Sequence, residues 1–126
     1  CSAWIHIAKD RPWLEALPLW IEEDGFLLVH AGINPEKGFE GTSRDEFLAI
    51  RTWPPTGALD GLRWHDVYPP DNKLIIFGHD APGGLVDKRR SDRTPYVIGL
   101  DSGCVYGRQL SAYLLEEDRV VQVNKK

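Results

Sequence analysis

Two histidines sit in equivalent places. "FLLVHAGINP", residues 26–35, runs apolar and stops on His30, Ala31 and Gly32; "KLIIFGHD", residues 73–80, runs apolar and stops on Gly78 and His79. A third apolar run, "YVIGLDSG", ends on Asp101, Ser102 and Gly103. A lone histidine at a strand end is ordinarily a satisfied core residue before a turn. Two of them on one sheet edge make half of a metal site an equal contender, because neutral imidazole suits zinc, iron and manganese. Asp80, Asp101, Asp66 and His65 are the residues available to complete it. None forms an H-x-H or C-x-x-C pair with either histidine, so the chain offers an incomplete site on its own. A mononuclear zinc site completed by His65 or Asp80 is a lesser reading.

The elements that must hold these residues follow from local pattern. Residues 10–23, "DRPWLEALPLWIEE", read as a short helix capped by Asp10, with Pro18 ending or bending it. Residues 25–33 form a strand, continuous in its apolar residues and therefore buried on both faces. Residues 34–42 are loop, and Ser43 with Glu46 makes the capping box of a helix. Residues 53–72, rich in proline and glycine, are loop, and so is "APGGLVDKRRSDRTP" at 81–95. The tail at 110–123 is a hairpin turning at Glu116, Glu117 and Asp118. Three strands with small polar residues at their carboxyl ends indicate an α/β sheet whose ligand edge lies at those ends.

At 126 residues, the chain is one domain's worth at most, with an ordinary globular share of apolar residues. The net charge of −4 argues against binding a nucleic-acid duplex, though not against a small anion met by a metal. No apolar run is long enough to span a membrane, and two cysteines make a poor disulfide framework; cytoplasmic residence is the expectation. The chain holds no methionine, and its opening "CSAWIHIAKDRPW" reads as the middle of a longer polypeptide.

"LLVHAGINP", "LIIFGHDAPGGL" and "VIGLDSGCVYGRQLSAYLL", in that order, resemble the second half of the calcineurin-like metallophosphoesterases. Within them, the chain is most similar to the phosphoprotein-phosphatase branch that includes the symmetrical bis(5′-nucleosyl)-tetraphosphatases. The resemblance covers roughly residues 11–123, with Ser102 where the family's last motif usually has threonine. It implies that residues 1–126 are the C-terminal half of a four-layer α/β/β/α sandwich. It further implies two divalent ions (manganese, iron or zinc) at one edge in the intact enzyme. His30 and His79 would ligate the second ion, Gly32 and Gly78 would keep space beside it, and Asp101 would brace the site through hydrogen bonds. The first-half motifs D-x-H, G-D-x-x-D-R and G-N-H-E have no match here, so no catalytic acid is identifiable and little hydrolysis is expected from this chain alone. Its partners would be the missing N-terminal half and a phosphorylated small-molecule or protein substrate, with no membrane. Arg63, in "LRWHDV", precedes the tryptophan and would substitute for a phosphate-binding arginine that some relatives place after it. The other reading is a non-catalytic binding module on the same fold.

Three further features invite chemistry. The basic run "DKRRSDR" could hold a polyanion, but a solvated loop of alternating charge is the expectation. Cys104 reads as a buried structural thiol. Most tryptophans read as packing, with Trp64 the best placed to stack on a base.

Overall fold

The computed structural model describes residues 18–55 and 61–124. Among these residues, seven strands and two short α-helices follow one another as β1 (Trp20–Glu23), β2 (Phe26–Val29), α1 (Arg44–Ala49), α2 (Trp64–Val67), β3 (Leu74–Phe77), β4 (Val86–Arg89), β5 (Pro95–Gly99), β6 (Gln109–Leu114) and β7 (Arg119–Asn124). A five-stranded sheet has the order β1-β2-β3-β5-β4, and β6 and β7 form a separate hairpin. In the larger sheet β2, β3 and β5 run parallel, with antiparallel β1 and β4 at the edges. The architecture is the expected α/β class, and the parallel centre puts three strand ends side by side.

The helix expected over 10–23 is corrected at its end: Trp20–Glu23 is a strand paired with β2 through the turn at Asp24 and Gly25, where Gly25 has φ 89°. An Asp-Gly pair between two β-rich stretches is a hairpin signal that outweighs helical spacing here. Residues 10–17 of that helix lie outside the described residues. The loop expected over 81–95 contains β4, whose Asp87, Lys88 and Arg89 look like loop composition but are the charged residues that protect a sheet edge. Residues 53–72 likewise contain α2, where Asp66 Oδ2 accepts the Arg63 N–H at 2.9 Å. The capping box at Ser43 forms as expected: Glu46 N–H donates to Ser43 Oγ at 3.2 Å and Ser43 N–H to Glu46 Oε1 at 3.0 Å.

The two sheet faces are unequally covered. On one face Leu27, Val29, Ala31, Ile33, Phe47, Ile50, Trp64, Ile75, Phe77 and Val97 make the main core. Among the described residues the other face holds only Leu74, Ile76 and Ile98 as buried residues, backed by Phe26, Leu100 and Tyr113. Hence β3 is buried throughout, whereas β2 alternates and Leu28 is 38% exposed, correcting the expectation of a strand buried on both faces. The hairpin β6–β7 turns Gln109, Ser111 and Tyr113 inward and leaves Leu110, Leu114, Val121 and Val123 exposed. Cys104, expected as a buried thiol, is half-buried and disulfide-bonded; Cys1 lies outside the described residues. No helix among the described residues is long and apolar enough to cross a membrane.

Candidate functional site

The parallel pairing of β2 with β3 brings their carboxyl ends together, and with them His30 and His79. His30 Nε2 lies 3.2 Å from His79 Nδ1, with ring centroids 4.9 Å apart. Backbone bonds fix this meeting: Gly78 N–H donates to His30 O at 2.8 Å, and Ala31 N–H to Phe47 O at 2.9 Å. His79 has φ 72°, and Asp80 N–H donates across it to Gly78 O at 2.8 Å. An i→i+2 bond around a residue of positive φ is the mark of the rare γ-turn, a strained conformation that costs on the order of 1–3 kcal/mol and clusters at functional sites. His79 Nε2 is buried without a hydrogen-bond partner. Burial, then the Arg51 guanidinium and His30, hold the His79 imidazole below its ordinary pKa, against Asp80 and Asp101. It is therefore neutral at pH 7, with a lone pair to offer.

The pair fits a metal. Two nitrogens each about 2.1 Å from one ion stand roughly 3.0–3.4 Å apart at octahedral or tetrahedral angles, and the observed separation is 3.2 Å. Among the described residues no group of three or more His, Cys, Asp or Glu is arranged to hold an ion, so further ligands are not in view. His65 and Asp80 do not complete the pair. His65 is packed against Phe77 and Trp64 with both ring nitrogens buried and without a hydrogen bond, Nδ1 lying 3.8 Å from Asp66 Oδ1, and its pKa falls to about 4, burial being the main cause.

Asp80 is 4% exposed and anchors a cationic cluster. Arg63 Nε lies 3.1 Å from its Oδ2, Arg51 Nε 3.7 Å from its Oδ1, and Gly83 N–H donates to Oδ1 at 3.2 Å. An antiparallel bridge between Thr52 and Arg63, with Trp64 N–H donating to Arg51 O at 3.0 Å, sets the two arginines side by side. Arg63 is thus mostly enclosed, while the Arg51 side chain is a third exposed. Arg51 is the residue that sequence reasoning missed. Nothing around "AIRTW" signals a site; the cue is that α1 returns to the end of β2, which only the fold reveals.

Other expected roles are reassigned. Gly32 gives room to the core: a Cβ there would overlap the Trp64 indole, which is 1% exposed and closed to base stacking. A Cβ at Gly78 would meet only His30 O at 3.8 Å, so crowding does not require glycine there. Asp101 lines a hollow of about 220 Å³ with Gly78 and His79, but the bond its carboxylate accepts at 3.1 Å comes from Gly103 N–H. Three of the four cations of the basic run are paired within the fold, while Arg93 is exposed. Lys88 Nζ reaches Asp66 at 2.7 Å, Arg89 grips Asp118 through both terminal nitrogens at 2.6 and 2.9 Å, and Arg90 donates to the carbonyls of Asp71 and Pro95.

No family model matches the chain. Among curated proteins it is similar to the symmetrical bis(5′-nucleosyl)-tetraphosphatase of Methylobacillus flagellatus, 25% identical over 181 aligned positions that take in 94% of the chain and 63% of the relative. The counterpart from a Janthinobacterium is 36% identical over 89 residues, covering 67% of the chain and 29% of the relative. The chain thus spans less than two thirds of the relatives' length. The 181 positions also exceed its 126 residues, so that relative carries stretches inside the matched span with no counterpart here. In structure it matches a crystal structure assigned as a diadenosine tetraphosphatase, with TM-score 0.75 and 27% identity over 96% of this chain and 57% of that one. Motifs, fold and relatives agree, and the partial coverage fits a C-terminal half: the chain belongs to the metallophosphoesterase superfamily, on the branch of the symmetrical bis(5′-nucleosyl)-tetraphosphatases.

Proposed function

We propose that this chain supplies part of the active edge of a metal-dependent hydrolase of phosphoanhydrides or phosphoesters, with a dinucleoside polyphosphate as the substrate class that the relatives' names suggest. The observation that carries this reading is the approach of two imidazole nitrogens to 3.2 Å at adjoining strand ends. His30 and His79 would hold one divalent ion of a pair. Bound there, such ions neutralise phosphoryl oxygens and make a coordinated water more acidic. Arg51, a third exposed and bordering the same Asp80 that follows His79, would meet the charge of a phosphoryl oxygen. The remaining ligands and the general acid would come from the first half of the domain. The test is a titration of the polypeptide carrying this chain with Mn²⁺, following the His30 and His79 ring resonances, alongside hydrolysis of a dinucleoside tetraphosphate. Paramagnetic broadening confined to those rings, with turnover in the polypeptide that also carries D-x-H and G-N-H-E, is expected; no response of either ring to Mn²⁺, Zn²⁺ or Fe²⁺ rejects it.

A second reading, a non-catalytic binding module, is favoured by one finding: the described residues bring no third ligand to the two histidines. It predicts phosphate or nucleotide binding that is indifferent to added metal.

A further inference from the structure

We propose that Asp80 is a positioning residue, drawing the Arg51 guanidinium by its charge to the side of His79, with Nε 3.7 Å from Asp80 Oδ1, so that the guanidinium's outer edge faces a phosphate-bearing anion. The inference rests on the phosphohydrolase reading and goes beyond it, since Asp80 touches neither metal nor substrate.

Three observations converge on this carboxylate. It is nearly fully buried, an environment in which an anion persists only when paired and hydrogen-bonded. It faces two cations of different character: Arg63, mostly enclosed at 3.1 Å, and Arg51, open to solvent at 3.7 Å. Arg63 thus neutralises the carboxylate, leaving Arg51 oriented by it while still able to donate from its outer nitrogens. The carboxylate is itself fixed from behind by the Gly83 N–H at 3.2 Å, in the 3₁₀ turn of Ala81–Gly83. And Asp80 directly follows His79, whose positive φ turns the chain so that the imidazole and the carboxylate diverge from one sharp bend. A guanidinium drawn toward a fixed carboxylate loses less freedom on gripping a second anion than a free one.

Gly83 gives a test that leaves every charge in place. A Cβ at this position would overlap Asp80 Oδ2 and stand 2.9 Å from its Cγ, so Gly83→Ala displaces the carboxylate without neutralising it. Inorganic phosphate is titrated at low ionic strength into the wild-type polypeptide and into Gly83→Ala, following the Arg51 Nε–H resonance. The same pair is compared in an Arg51→Lys background, where there is no guanidinium for Asp80 to orient. Gly83→Ala should weaken phosphate about tenfold in the first background and less than about twofold in the second, the range of effects that orienting partners have. Asp80→Asn, which keeps an oxygen for the Gly83 N–H but removes the charge that draws Arg51, should weaken phosphate about as much as Gly83→Ala does in the Arg51 background. An equal loss in both backgrounds, or none, overturns the role of Asp80 while the functional reading stands. A wild-type protein that binds neither phosphate nor Mn²⁺ overturns both.

Discussion

Two groups of charged residues lie on this small fold, and they are built in opposite ways. Around the basic run, Lys88, Arg89 and Arg90 each end on an acid or a carbonyl, and Tyr113 closes the group by donating to Asp118 Oδ1 at 2.5 Å. At the ends of β2 and β3 the reverse holds: a buried imidazole nitrogen lacks a partner, one residue sits at φ 72°, and a guanidinium lies at ion-pair distance without hydrogen bonding through its Nε. Unsatisfied buried polar atoms and backbone strain oppose stability, so folding alone gives no reason for them. The paired group ties β4 to the hairpin through Arg89 and Asp118. The charge-dense stretch of sequence is structural, and the sparse one is where chemistry belongs.

The contrast can be broken at several points. Trp64 underlies the unsaturated edge, and Trp64→Ala should cost about 3–5 kcal/mol in urea unfolding; a loss below about 1 kcal/mol would mean the edge is held by something other than its core. His65 tests burial without a hydrogen bond. Its pKa is lowered from 6.5 to about 4, so the unfolded chain binds the extra proton between those values. Its contribution is complete above pH 6.5 and is lost as pH falls toward 4, amounting to about 3 kcal/mol. His65→Phe should flatten the stability profile across that window; an unchanged slope would assign the pH dependence elsewhere. Removing one imidazole, as in His79→Ala, should lower Mn²⁺ affinity by about a hundredfold by calorimetry, and an unchanged affinity would place the metal away from these strands. On the saturated side, Arg89→Ala breaks a bidentate pair at the surface and should cost only about 1 kcal/mol. Lys88→Ala should leave phosphate affinity within about twofold; a larger loss would return the basic run to the substrate.

Much of this was legible from the residues. Strand ends announced themselves because an apolar run stopping on a small residue has few other uses, and the capping box at Ser43 formed as written. What escaped was whatever depends on distant partners. Asp87, Lys88 and Arg89 make an edge strand only because β5 lies alongside, and Trp20–Glu23 leaves helical pattern only because β2 pairs with it. Gly32 was assigned to the metal and belongs to Trp64, since local sequence records that a side chain is missing without recording what fills the space. Arg51 and Asp80 meet through a bridge between residues 52 and 63, which spacing along the chain does not encode.

The bond from Gly78 N–H to His30 O crosses from one histidine's strand end to the other's, and Ala31, next in line, is fully buried. Pulling the two imidazoles apart therefore means breaking into the main core. In hydrogen-exchange terms the Gly78 amide should open only with global unfolding, as slowly as the slowest core amides. The spacing of the histidines is in that sense a thermodynamic property of the whole fold: a destabilising substitution far from the edge would change how often the pair is assembled without touching either ring.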